Sequence, residues 1–325
     1  MGAGCKGFRP ARFPTFSHED VGNFSLPDRR DTPLYPRTGN TGSSLLQRKV
    51  LFIPPQTRHT PAQQALILDH YKPMEAVEEF TKIESIFVRH RNALLVRGQF
   101  TPIFTDYYLH LMDLKLRHKE DLDQKLKDLL ALLTLHMTAR PWAETIAWTV
   151  NLRAPRVNFF VTGGSTQENI TGNLFTENIK EADRNILYSQ TIVPSSEGRK
   201  STVELDSNDP FEWLETYYTQ SEQRPARAFQ LKDENYAIIA AQPDCDYEWL
   251  ESLNAEDVEK IMETEETKVL ETRKFRFFCG CSVEKILPAL AAYKNNKEAL
   301  FHGDPAIEVS CPRCAAKYIV TPDML

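Results

Sequence analysis

The pattern of apolar and polar positions changes character several times along the 325 residues. Over residues 121–138, Leu122, Leu126, Leu129, Leu130, Leu133 and Met137 recur at helical spacing, and Leu132 and Leu135 widen the stripe. A helix apolar on so many sides belongs inside a core. Ile146, Trp148, Val150 and Leu152 alternate with Thr145, Thr149 and Asn151, the period of a half-buried strand. Val157 to Val161, closing on Gly163-Gly164, suits its hairpin partner. Strand character returns around residues 186–192, 201–205, 228–231 and 236–240, and Phe211 to Gln220 reads as a helix opened by Asp209-Pro210. Ala93 to Phe104 reads as a strand broken at Gly98, and a helix is expected directly after Met74. Residues 75–242 therefore predict an α+β core domain of mixed sheet and helix.

The flanks differ. Prolines recur through residues 1–73, no apolar period persists, and bases outnumber acids, so this stretch predicts a disordered extension that the functional protein does not need. Lys6, Arg9 and Arg12 resemble the start of an organelle presequence, but Pro10 and Pro14 spoil the amphipathic helix it would require. Residues 243–275 form a third region. Between 244 and 274, eleven acids face four bases, while Trp249, Leu250, Leu253, Val258, Ile261 and Met262 keep helical spacing. That combination predicts an acidic helical linker, either a plain solvated helix pair or a metastable element whose folding depends on its neighbours.

Composition narrows the function. A hydrophobic content of 41% supports a sizeable core, and a net charge of −6 argues against nucleic acid as the main partner. No apolar run reaches the length of a transmembrane helix. No H-E-x-x-H, G-x-S-x-G or P-loop motif is present, and a non-enzymatic function is expected.

The chemistry concentrates in residues 276–325. Cys279-Gly280-Cys281 and Cys311-Pro312-Arg313-Cys314 flank a 29-residue interval. A C-x-C and a C-x-x-C can close on one tetrahedral Zn2+. Ser282 to Leu290 predicts a helix with Ser282 as N-cap, kinked or stopped by Pro288. His302 to Pro305 predicts a turn, and residues 307–309 and 318–320 two strands flanking the second pair. So small a module needs its metal to fold. His302 is a turn residue rather than a fifth ligand, Cys5 and Cys245 have no partner pattern, and Arg224 and Arg227 are surface charges. Two uses of the cysteines remain open on spacing alone: a permanent structural zinc in a constitutive protein-interaction module, or a redox switch in which oxidation of either pair ejects the metal. A thiol oxidoreductase is disfavoured because strand, not helix, follows Cys314. Paired thiols without a signal peptide fit a cytoplasmic protein.

These motifs resemble the heat-shock protein 33 family of redox-regulated chaperones. The likeness covers about residues 80–325. It rests on the cysteine spacing, on Tyr217-Tyr218-Thr219-Gln220-Ser221-Glu222-Gln223-Arg224-Pro225, and on Val96-Arg97-Gly98-Gln99-Phe100. Glycines usual in that family near Ser201–Leu205 and before Tyr236 are absent, and residues 1–73 match nothing in it. The resemblance implies an ATP-independent holdase for unfolded clients, inactive while Cys279, Cys281, Cys311 and Cys314 hold one zinc. It implies that oxidation pairs Cys279 with Cys281 and Cys311 with Cys314, releases zinc, unfolds the linker and favours a homodimer.

Overall fold

The computed structural model describes residues 80–179, 182–194 and 197–325. The expected extension over 1–73, the helix after Met74 and Cys5 lie outside these residues.

Ten strands form one sheet in the order β7-β6-β3-β4-β5-β10-β1-β2-β9-β8. They are β1 (Thr81–Val88), β2 (Ala93–Gln99), β3 (Thr145–Leu152), β4 (Val157–Gly164), β5 (Asn169–Phe175), β6 (Ile186–Ile192), β7 (Arg199–Glu204), β8 (Ala226–Gln230), β9 (Asn235–Ala241) and β10 (Thr267–Phe277). Neighbours are antiparallel except where Arg276 and Phe277 of β10 meet Asn169 and Ile170 of β5 in parallel. That short contact joins two antiparallel half-sheets.

Among the described residues, five helices pack on this frame: α1 (Thr101–Leu114), α2 (Glu120–Thr138), α3 (Pro210–Tyr217) and the pair α4 (Tyr247–Ser252) and α5 (Ala255–Thr264). Helix α2 is the one whose stripe runs nearly all round. It is buried from Leu126 to Thr138 because it contacts strands of both half-sheets at once. The alternation over residues 145–152 appears as strict burial of Ile146, Trp148, Val150 and Leu152. Asp209 caps α3 through the amide of Phe211 at 3.0 Å. A single wide turn, Tyr218–Glu222, continues α3. It buries Glu222, whose carboxylate accepts from Arg140 and Arg199 at 2.7 Å each. The tyrosine-rich segment singled out in the sequence is thus a packing and ion-pair node.

The strand expected over Ala93 to Phe104 ends at Gln99, and Phe104 belongs to α1. Pro102 sits in the first turn, where its missing N–H costs nothing, and Phe104, Tyr107 and Leu111 then bury one face. Gly98 does not break the strand. It pairs with Ile83 and Tyr236, and an added Cβ would lie 2.9 Å from the Lys82 carbonyl, so glycine is required by the close approach of β1. Strands β1 and β5 carry no counterpart in the sequence reading.

The helical expectation for residues 244–274 holds through Thr264. Asn254 and Asp257 close a capping box at the start of α5. From Thr267 the chain is strand instead. Arg273, Phe275 and Phe277 alternate into the core, while Lys268, Thr272 and Lys274 stay in water. Arg273 is buried because its guanidinium donates to the carbonyls of Met137 and Arg140 at 2.8 Å each and to Glu271 at 2.7 Å. It thereby satisfies carbonyl groups at the C-terminal end of α2.

Helices α4 and α5 lie on the other face of β1, β2, β9 and β8. Leu250, Leu253, Val258 and Ile261 cover Ile86, Val88, Leu95, Phe229 and Ile239, forming a second apolar layer separate from the main core. The third apolar cluster belongs to residues 279–325.

Candidate metal centre

Strand β10, central in the sheet, delivers the first cysteine pair from its C-terminal end, beside the start of β5. Phe278 is pinned there, its N–H donating to Ile170 O at 2.9 Å and its carbonyl accepting from Asn169 Nδ2 at 3.0 Å. Gly280 follows with a φ of +64°, a left-handed turn that glycine adopts without strain. The expected helix begins at once but is short: α6 (Val283–Ile286) passes into a 3-10 stretch, Leu287–Tyr293, where Pro288 sits in the first turn. Ser282 occupies the N-cap position, but its hydroxyl makes no cap bond. After α7 (Glu298–Phe301), His302 closes the helix at a φ of +51°, as a turn residue outside the sulfur cluster.

The second pair sits on a hairpin. Strands β11 (Ile307–Ser310) and β12 (Lys317–Val320) pair antiparallel, and Cys311 N–H donates to Ala316 O at 2.7 Å across the knuckle. Ala315 turns back with a φ of +62° and donates to Cys311 O at 2.8 Å. Cys311 and Cys314 are buried, and Cys281 is half-buried.

The sulfurs of Cys279, Cys281, Cys311 and Cys314 all lie within 4.8 Å of one another. Cys279 and Cys311 are 3.8 Å apart, and Cys281 and Cys314 3.5 Å. A tetrahedron of bonds about 2.3 Å long has edges of about 3.8 Å, so the donor set fits a single zinc. All four are free thiols. Sulfur-to-sulfur hydrogen bonding divides them. Cys281 is pushed down and Cys311 to about 7, each chiefly by Cys279, whereas Cys279 is pushed up chiefly by Cys281, and Cys314 chiefly by Cys279. Deprotonating all four at this spacing requires a cation between them. Soft thiolates in a tetrahedral S4 set favour zinc or iron over hard cations, and no ligand position is left open for hydrolysis.

Two residues that sequence reasoning missed touch this cluster. Tyr318 on β12 donates its hydroxyl to Cys281 Sγ at 3.0 Å. Its pKa is raised, by burial first and by Cys281 second, which keeps the proton on oxygen. His110 on α1 places Nε2 2.6 Å from the Cys314 carbonyl. A groove of about 440 Å3 lies between, lined by Leu109, His110, Phe278, Cys281, Cys314 and Tyr318. Tyr318 was visible only as a strand residue and His110 not at all, because the first contact depends on how β12 folds back on the Cys279–Cys281 turn and the second on how the module docks against α1.

The remaining singled-out residues lie elsewhere. Cys245 is buried in the layer beneath α4 and α5, and burial pushes its thiol up. Arg227 pairs with Glu215 at 3.2 Å, and Arg224 lies over the Tyr218 ring.

A model of the family described as Hsp33 protein matches residues 230–321. The 33 kDa chaperonin of Shewanella sp. (strain ANA-3) is 25% identical over 224 residues, covering 60% of this chain and 78% of the relative. The 33 kDa chaperonin of Acholeplasma laidlawii (strain PG-8A) is 37% identical over 73 residues, covering 22% of this chain and 24% of the relative. The crystal structure of the 33 kDa chaperonin of Thermotoga maritima superposes with a TM-score of 0.57 at 13% identity, covering 76% of this chain and 96% of that one. This last likeness is one of fold.

Proposed function

We propose that this chain, which belongs to the heat-shock protein 33 family, is an ATP-independent holdase switched on by oxidation of Cys279, Cys281, Cys311 and Cys314. The observation that carries the reading is the convergence of these four thiols in a module joined through β10 to a helix pair that covers apolar sheet.

In the reduced protein the four thiolates hold one zinc. When bound, the ion supplies the cross-link that keeps residues 276–325 folded, a contribution of about 10–16 kcal/mol in isolated zinc peptides. Oxidation joins Cys279 to Cys281 and Cys311 to Cys314. Each disulfide forms as two thiolates give two electrons to an oxidant such as peroxide, and the ligands are lost. The module then unfolds. Helix α1 loses the bond that its His110 makes to the Cys314 carbonyl, and the acidic linker of residues 243–275 is released from the core of residues 75–242. Ile86, Val88, Leu95, Phe229 and Ile239 become available to apolar segments of unfolded clients. The uncovered apolar face also favours a homodimer of the oxidised form. Clients rather than nucleic acid are the partners, no chemical turnover is involved, and the site of action is the cytoplasm. Among the described residues no helix is long and apolar enough to cross a membrane.

A second reading has one observation in its favour. Strand β10 stands between the thiols and the helix pair, anchored by Arg273 and by fully buried Phe275. If that anchor holds, zinc loss stays local and the cysteines are a structural clamp in a constitutive interaction module. Aggregation of a denatured client, followed together with zinc release before and after peroxide, separates the two. Holding that appears with zinc loss and reverses with reductant and zinc supports the switch, whereas zinc loss without holding supports the clamp.

A further inference from the structure

The four sulfurs are not equivalent. Cys279 and Cys311 contact each other, and Cys311 also receives a backbone bond from Arg313. Cys281 contacts Cys314 and in addition accepts the Tyr318 hydroxyl at 3.0 Å. Among the described residues this is the one side-chain hydroxyl hydrogen-bonded to a sulfur of the cluster. Register fixes its position: Tyr318 faces Val309 across the hairpin, two residues before Cys311, and so stands beside the knuckle. Cys281 and Tyr318 both line the groove against α1.

We propose that Tyr318 is a positioning residue that sets the oxidation threshold of the thiol cluster by holding a hydrogen bond on Cys281. The assignment rests on the zinc-site reading above and adds to it a named restraint on reactivity. Peroxide oxidation begins when a thiolate attacks one peroxide oxygen: an S–O bond forms, the O–O bond breaks and hydroxide leaves. A second thiolate then displaces hydroxide from the sulfenic acid, forming the S–S bond and breaking S–O. Both steps draw on the sulfur lone pair. An O–H aimed at that lone pair withdraws density from it and occupies the direction of attack. Hydrogen bonds to charged groups are among the stronger ones, so removing this bond accelerates attack by about tenfold.

The test uses the full chain carrying Tyr318→Phe, which keeps the ring and removes only the hydroxyl. Tyr293→Phe, a half-buried ring of the same module that bonds no sulfur, is the control. Peroxide-triggered zinc release is timed under second-order conditions, and the thiolate-to-cobalt charge-transfer band is recorded after cobalt substitution. Tyr318→Phe is expected to release zinc about tenfold faster and to shift the band to longer wavelength, because a sulfur freed of its hydrogen bond is a better donor. Tyr293→Phe is expected to match the parent. Equal release rates and an unshifted band would overturn the assignment and leave the metal site standing. A Tyr318→Phe protein that takes up no cobalt where the parent does would also overturn it, since the hydroxyl would then serve assembly and not restraint. A parent that takes up neither zinc nor cobalt would instead defeat the reading of the site itself.

Discussion

Substituting Ile261 by alanine should activate the reduced protein. Ile261 lies on the inner face of α5, fully buried against β1, β2 and β9 with Leu250, Leu253 and Val258. Truncating a buried isoleucine costs about 2–5 kcal/mol. The main core does not share this loss, because α4 and α5 form a separate apolar layer. Their polar ties lie near the surface: Arg227 donates to the Glu251 carbonyl at 2.8 Å, and Lys232 pairs with Glu259 at 3.2 Å. Arg91 forks to Asp246 at 2.7 Å and to Glu265 at 3.0 Å, and such partly solvated pairs add little. The cost therefore falls on the equilibrium between covered and uncovered sheet. Even the lower figure raises the uncovered population about thirtyfold, at 1.4 kcal/mol per factor of ten. Amide exchange across residues 247–264 should accelerate by that factor while α2 keeps its protection. Light scattering from a denaturing client, with reductant and zinc present, should show holding that the parent lacks. Accelerated exchange without any holding would refute the argument, because the sheet beneath α4 and α5 would then not be the client surface.

Other outcomes follow from the same geometry. Cys279→Ser should abolish stoichiometric zinc binding and strip exchange protection from residues 279–325 while the main core still melts cooperatively, as native mass spectrometry and calorimetry would show; an unchanged metal content would contradict the ligand set. His110→Ala removes the bond to the Cys314 carbonyl, worth about 0.5–1.5 kcal/mol, so exchange at residues 311–318 should quicken roughly two- to tenfold. His136 is fully buried, and burial holds its pKa well below the ordinary 6.5, with Arg140 next in effect. The unfolded chain therefore binds the extra proton first. Stability should fall as pH drops below about 6.5, by up to about 1.4 kcal/mol per pH unit from this group, until the depressed folded value is reached. Denaturant melts of His136→Gln should lose that slope, and an unaltered slope would exclude His136 as its source.

What the sequence made legible was local. The four cysteines announced their site because ligand spacing survives without tertiary information, and the thiols do converge. Residues 145–152 and the leucine stripe of α2 were equally readable, since each keeps one period within one element. Strand β10 was hidden because Glu271, Thr272, Arg273 and Lys274 look solvated. Arg273 is in fact buried, and only the carbonyls of Met137 and Arg140, more than 130 residues away in sequence, make that affordable. Tyr318 and His110 were hidden for the same reason: their partners come from other parts of the chain. The start of α1 was misread because Phe100 to Phe104 has strand-like composition, while Pro102 and the later spacing of Tyr107 and Leu111 favour helix.

Segment-resolved hydrogen exchange of the reduced zinc-bound chain and of the peroxide-oxidised chain tests the central claim most directly. The account predicts that residues 247–264 lose protection together with residues 279–325, while β2, β9 and α2 keep theirs. Loss confined to residues 279–325, with α4, α5 and β10 still protected, would contradict the switch and leave the four cysteines as a structural clamp.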